Sequence, residues 1–199
     1  LDKPWGEAAT EPSWCRMISH TFPWDEMVIY ECHPRGFTRS DSSGVSAPGT
    51  FRGIRERLGY LADLGITTLE LLPIFYFDEC NNPRKHPETG APLLNYWGYQ
   101  PLSFFAIKGS YASSPYPQEA ANEFRERVKD AHQHHIEVIL DVVFNHTGEI
   151  DSPAKLPGWL HLAPKTFYLT NESWTGQCHG LRQHRECERP LHLGACHQG

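Results

Sequence analysis

The stretch "VILDVVFNHTGE", Val138 to Glu149, decides how this chain reads. Apolar and β-branched residues surround one acid, Asp141, and the run then stops on Asn145, His146 and Thr147. A segment hydrophobic at odd and even positions alike predicts a strand buried on both faces, as in parallel sheets. A carboxylate in such a strand is costly to desolvate without hydrogen-bond partners or a charge, so Asp141 points to a site. The other reading is a polar residue at a frayed strand end.

Working outward, "QEAANEFRERVKDAHQHH" predicts a helix with Ala121, Phe124 and Val128 on one side and charges on the other. Further upstream, "ITTLELLPIF" reads as a buried strand ended by Pro73. Before it, "TFRGIRERLGYLADLG" places Phe51, Ile54, Leu58, Leu61 and Leu64 at helical spacings, with Thr50 as N-cap and Gly65 as the stop. "MVIYE", from Met27, is the first strand, and Gly36 punctuates the polar loop after it. The order strand, helix, strand, helix, strand specifies an α/β fold with parallel strands and right-handed crossovers. A long polar insertion from Phe77 to Pro117 separates the second strand from the second helix, and long loops of this kind are commonly functional.

With 199 residues, 39% of them hydrophobic and 12% aromatic, the chain can bury a core. A net charge of −6 and the lack of a clustered basic face argue against a nucleic-acid partner. No apolar run reaches the length of a membrane span, which argues against a membrane partner, and the first residues lack the pattern of a signal peptide. The chain begins at Leu1, however, so a missing native N-terminus would hide one. Cys15, Cys32 and Cys80 stand far apart, whereas Cys178, Cys187 and Cys196 lie among His179, His184, His192 and His197. Such density can mark metal binding, but without a Cys-x-x-Cys pair an irregular tail is the simpler reading.

Ligand sites in parallel α/β folds open at the carboxyl ends of the strands. Asn145 and His146 follow the third strand, and "NYWGYQPLSFF" follows the second, so Tyr96, Trp97 and Tyr99 are expected to share a pocket with Asp141 and His146. Aromatic rings beside Asp, Asn and His suit a sugar, which offers apolar faces to stack and hydroxyls to bond.

Four segments, "VIYECHPRGFT", "LGITTLELLPI", "LLNYWGYQPLSFFAIKGSYAS" and "VILDVVFNHTGE", carry a resemblance to the alpha-amylase clan of glycoside hydrolases, isoamylase and glycogen debranching branch, over about 28–149. The resemblance implies a TIM (β/α)8 barrel and retaining hydrolysis of α-1,6-glucosidic bonds in α-glucan, such as glycogen, starch or branched maltodextrin. It gives Tyr99 the role of stacking on the sugar at the cleavage position, His146 that of bonding its primary hydroxyl, and Asp141 that of holding the pocket's polar network. Trp97 and Tyr96 are further binding candidates. Asn145 falls where some amylases bind calcium, but one oxygen ligand does not make a hard-cation site, so no metal or cofactor is expected. Cys32 and Pro34 depart from the usual pattern and leave the end of the first strand less defined.

The family's nucleophile, acid/base and third carboxylate follow later strands, and no segment here matches them. Asp151 and Glu149 are poor substitutes, since two carboxyls must flank the bond at a fixed separation. The expectation is a partial barrel holding the first three strands only, inactive by itself, with an open sheet edge. Its parts would be a linker or extension over 1–26, the barrel portion over 27–176 and an irregular tail over 177–199. A branching enzyme or trehalose-releasing hydrolase of the same clan, or a non-catalytic glucan-binding fragment, are the alternatives. The cytoplasm is the expected compartment, or a plastid in a photosynthetic host.

The tail has a further reading. Shifted by one nucleotide, permitted codons from Leu181 to Ala195 allow Cys-Gly-Asn-Thr followed by an Asn-rich run, close to the family's continuation after Trp-Thr-Gly. The text beyond about Gly176 is therefore expected to be out of frame, which accounts for its Cys/His density without a metal.

Overall fold

The computed structural model describes residues 22–148. Cys15, Glu149, Asp151, the Cys/His-rich tail and the shifted-frame segment lie outside the described residues.

The fold is α/β. Strands β1 (Ile29–Cys32), β2 (Thr68–Leu71) and β5 (Glu137–Leu140) form one sheet in the order β1-β2-β5, both pairs parallel. Tyr30 aligns with Leu69 and Val138, and Cys32 with Leu71 and Leu140. These six pack into one apolar cluster with Phe51, Ile54, Leu58 and Leu61 from the helical segment between β1 and β2. Helix α3 (Ala120–Gln133), which leads into β5, adds Phe124 and Ala131 to the same core.

Because side chains alternate along a strand, residues one step out of phase lie on the opposite face. That face carries Ile29, 48% exposed, and Ile139, 37% exposed. The third strand is therefore not buried on both sides as its composition suggested; within the described residues β5 has a neighbour on one edge only. It ends at Leu140, although the Asp141 N–H still bonds to the Leu71 carbonyl at 2.9 Å. Asp141 is in phase with Ile139, so it leaves the sheet on the face away from the helices. Its carboxylate avoids the apolar core altogether.

The expected helix between β1 and β2 is two short helices, α1 (Phe51–Arg55) and α2 (Leu58–Asp63). Thr50 caps the first, its hydroxyl accepting from the Gly53 N–H at 3.2 Å. The break falls where Glu56 turns its carboxylate back to the Ser46 N–H and hydroxyl and the backbone tightens, Arg57 N–H reaching the Ile54 carbonyl. Phe51, Ile54, Leu58 and Leu61 are buried as their spacing required, but Leu64, past the second helix, is 54% exposed. On α3 the fully buried positions are Ala120 and Ala131, while Ala121 and Val128 are half-buried, and Phe124 meets Phe51 at 5.3 Å between ring centroids.

The long insertion has structure of its own. Residues Phe75–Tyr76 (β3) and Ser103–Ile107 (β4) pair antiparallel, with a register irregularity between Phe75 and Tyr76. This pair brings the aromatic loop back over the carboxyl end of β2. No helix among the described residues is long and apolar enough to cross a membrane.

Candidate functional site

Tyr99 donates its hydroxyl to Asp141 Oδ2 at 2.6 Å. One residue pair thus joins the aromatic loop to the exit of β5. His146 closes the connection, its Nε2–H donating to the Tyr99 carbonyl at 2.7 Å, while Asn145 Nδ2–H donates to His146 Nδ1 at 2.7 Å. A carbonyl can only accept and an amide N–H can only donate, so both contacts select the neutral Nε2–H tautomer of His146. The four residues form one continuous network, with the Tyr99 ring still 37% exposed.

Burial, the hydrogen bond to Asp141 and the negative charges of Asp141, Glu31 and Glu70 push the Tyr99 hydroxyl up to about 12. It stays a donor throughout the physiological range. Glu31 and Glu70 are cross-strand partners of β1 and β2 and share the sheet face from which Asp141 emerges.

The loop reaches this position through Gly98, whose φ is +80°. A Cβ there would sit 3.0 Å from the ring of Phe77 and 3.3 Å from the Pro73 carbonyl, so the loop backbone lies directly on the β2 exit. Asn95 braces the turn, its side chain bonding to Gln100 Oε1 at 3.2 Å and accepting from the Gly98 N–H at 3.4 Å.

Tyr96 and Trp97 form a second group around His33, just past β1. The His33 and Tyr96 rings stack with centroids 4.2 Å apart and 16° between planes, and Trp97 stands edge-on to both. Trp97 is 57% exposed and Tyr96 38%. Sequence reasoning did not single out His33; its partners are 63 residues away and no spacing signals them.

Beneath both groups lies an ion cluster. Arg35 Nη2 bonds to Glu79 Oε1 at 2.8 Å and to Ser110 at 2.7 Å, and Lys108 Nζ stands 3.3 Å from the same carboxylate oxygen. Lys108 is nearly buried, donates to the Phe77 carbonyl at 2.7 Å and lies 4.4 Å from that ring's centroid. Burial alone would raise the Glu79 carboxyl, but hydrogen bonds from Arg35 and Ser110, with the charges of Lys108 and Arg35, bring it below its ordinary value. Among the described residues no group of three or more His, Cys, Asp or Glu side chains is placed to hold a metal ion.

The arrangement offers exposed aromatic faces beside a fixed carboxylate, an imidazole and an amide. The family model "Alpha amylase, catalytic domain" matches residues 31–156. Isoamylase 1, chloroplastic, of Arabidopsis thaliana is 44% identical over 130 residues, covering 64% of this chain and 17% of that protein. The glycogen debranching enzyme of Cronobacter sakazakii is 42% identical over 164 residues, covering 77% of this chain and 24% of that protein. Among solved structures, the Bacillus subtilis type I pullulanase complexed with maltose superposes with a TM-score of 0.63 at 32% identity, covering 91% of this chain and 26% of that one. A Paenibacillus barengoltzii pullulanase, solved with maltohexaose and α-cyclodextrin, gives 0.65 at 26% identity, covering 80% and 26%. The chain spans about a sixth to a quarter of the length of these curated relatives.

Proposed function

Because this chain belongs to the alpha-amylase catalytic-domain family, on its isoamylase and glycogen debranching side, we propose that it binds α-glucan within a debranching glycoside hydrolase. In this reading the described residues are the first three strand units of a TIM barrel, and the hydrolysis is of α-1,6 branches with retention. The part assigned to the described residues is holding the sugar. The cytoplasm, or a plastid, is the compartment that goes with it.

The observation that carries the reading is the Tyr99, Asp141 and His146 network. Asp141 fixes the tyrosine hydroxyl and so fixes the ring's tilt, leaving its face to stack on a pyranose. His146 is tied to the same residue through the Tyr99 carbonyl, which keeps its imidazole beside the stacking tyrosine. Tyr96 and Trp97 add exposed apolar surface around His33, just past β1. Calorimetric titration of the chain with maltohexaose and with a branched maltodextrin tests this. Tyr99→Ala is expected to weaken binding by about tenfold or more, the scale of a lost stacking contact and its buried area. Equal affinity of wild type and Tyr99→Ala would remove Tyr99 from the site. Equal affinity of the wild type for linear and branched sugars would remove the debranching part of the reading.

A further inference from the structure

We propose that His33 is the positioning residue of the aromatic loop, fixing Tyr96 and Trp97 at the carboxyl end of β1 through its neutral, Nε2-protonated imidazole. The function served rests on the glucan-binding reading; the positioning itself does not.

His33 is 7% exposed, and both of its ring nitrogens and its face toward Tyr96 are employed. Nε2–H donates to the Tyr96 carbonyl at 2.8 Å, with the Tyr111 hydroxyl a longer second contact at 3.4 Å. Nδ1 accepts from the Arg35 and Gly36 N–H groups, each at 3.1 Å. The imidazole therefore makes the turn after β1 with one nitrogen and holds the loop with the other. A carbonyl on one side and two amide donors on the other allow a single tautomer. The ring supplies the rest, stacked on Tyr96 and edge-on to Trp97 and Tyr111.

Gly36 permits this approach. A Cβ at that position would lie 2.8 Å from the Tyr96 hydroxyl oxygen, so the tyrosine hydroxyl occupies the space a side chain would take. Two independent features, an imidazole with no spare valence and a residue with no side chain, thus converge on Tyr96.

Protonation of Nδ1 would turn an acceptor of two N–H groups into a third donor facing them. The charged groups around it do not favour the cation. Arg35, on the same segment, is positive, although Glu79 pairs with it; Tyr96 from the loop and Tyr111 from the turn after β4 are neutral. Burial, with the Arg35 charge adding to it, lowers the His33 pKa below the usual 6.5 despite the Tyr96 carbonyl bond. The two bonds of the turn to Nδ1 are therefore present at neutral pH and are lost as pH falls through that lowered value, while Nε2–H keeps its bond to Tyr96 and the ring under Trp97 shifts with the turn.

The substitution His33→Asn separates the two roles. Asn Oδ1 reaches the place of Nδ1 and keeps the turn, but the donor to Tyr96 and the ring stack are gone. The expected result is a shifted Trp97 indole N–H resonance, assigned through Trp97→Phe, and about tenfold weaker maltohexaose binding, the scale of one lost hydrogen bond with its stack. A Trp97 resonance unmoved in His33→Asn overturns the proposal. Should that variant not fold, the wild type decides: the Trp97 resonance must move along the same curve as the His33 ring protons in acid titration. A Trp97 signal that stays fixed while His33 titrates overturns it equally. If the wild type binds no maltohexaose, the glucan reading fails while the resonance still judges His33.

Discussion

Replacing Gly98 by alanine measures how tightly the aromatic loop is seated. Two costs add. The backbone is left-handed, φ +80°, which costs an L-residue about 1–2 kcal/mol. The new methyl meets Phe77 at 3.0 Å and the Pro73 carbonyl at 3.3 Å, and Phe77 is itself fully buried under the Lys108 ammonium, so it has little room to yield. Overpacking of this kind costs about 1–3 kcal/mol. Together the substitution should destabilise the chain by about 2–5 kcal/mol, or else displace the loop and lose the His146 bond to the Tyr99 carbonyl. Gly59→Ala is the internal control. Gly59 lies in α2 with nothing within 4 Å of its missing Cβ, so the same methyl should stabilise by about 0.5–1 kcal/mol through helix propensity. Urea unfolding followed by circular dichroism reads both, and maltohexaose titration reads the loop. If Gly98→Ala leaves both the urea midpoint and the affinity at wild-type values, the seating described here is wrong.

Other outcomes follow from the same geometry. In alkaline absorbance titration Tyr99 should ionise near pH 12, and Asp141→Asn should bring it down toward the usual 10; no change in that variant would mean the hydroxyl does not face Asp141. The Glu79 carboxyl is lowered when folded, so its contribution to stability is full above the ordinary 4.5 and is lost as pH falls through the folded value. The stability gap between wild type and Glu79→Gln should accordingly shrink below pH 4.5, and a gap that widens in acid would contradict the pairing with Arg35 and Lys108. Burial, with a smaller push from Glu31, raises the Cys32 thiol to about 12, while Cys80 is exposed. Iodoacetamide at neutral pH should label Cys80 and spare Cys32, as peptide mass mapping of the native chain would show.

What the sequence disclosed was what depends on local periodicity. Thr50 announced a cap because its hydroxyl has only to reach three residues ahead, and Phe51, Ile54, Leu58 and Leu61 announced a buried face by their spacing. Tyr99, Asp141 and His146 could be grouped because each follows a strand, and parallel strands carry their ends to one side. The β3 and β4 pair was not legible: two residues, Phe75 and Tyr76, with a slipped register make no alternating pattern. Nor was the break at Glu56, which depends on Ser46 ten residues back. His33 looked like any polar residue after a strand, since what gives it meaning is a carbonyl contributed by Tyr96 from a distant loop. Leu64 misled in the opposite direction, keeping the helical rhythm at the residue just past the end of the helix.

His146 has no idle nitrogen. One receives the Asn145 amide and the other gives its proton to the Tyr99 carbonyl. A sugar hydroxyl that takes that proton must therefore win it from the loop, so ligand and tether compete for a single hydrogen. Under the proposed glucan reading, occupancy would unfasten the Tyr99 carbonyl while its hydroxyl stayed bonded to Asp141. Such an exchange would let the tyrosine settle against its guest after contact rather than before it, and departure of the sugar would be the event that restores the bond.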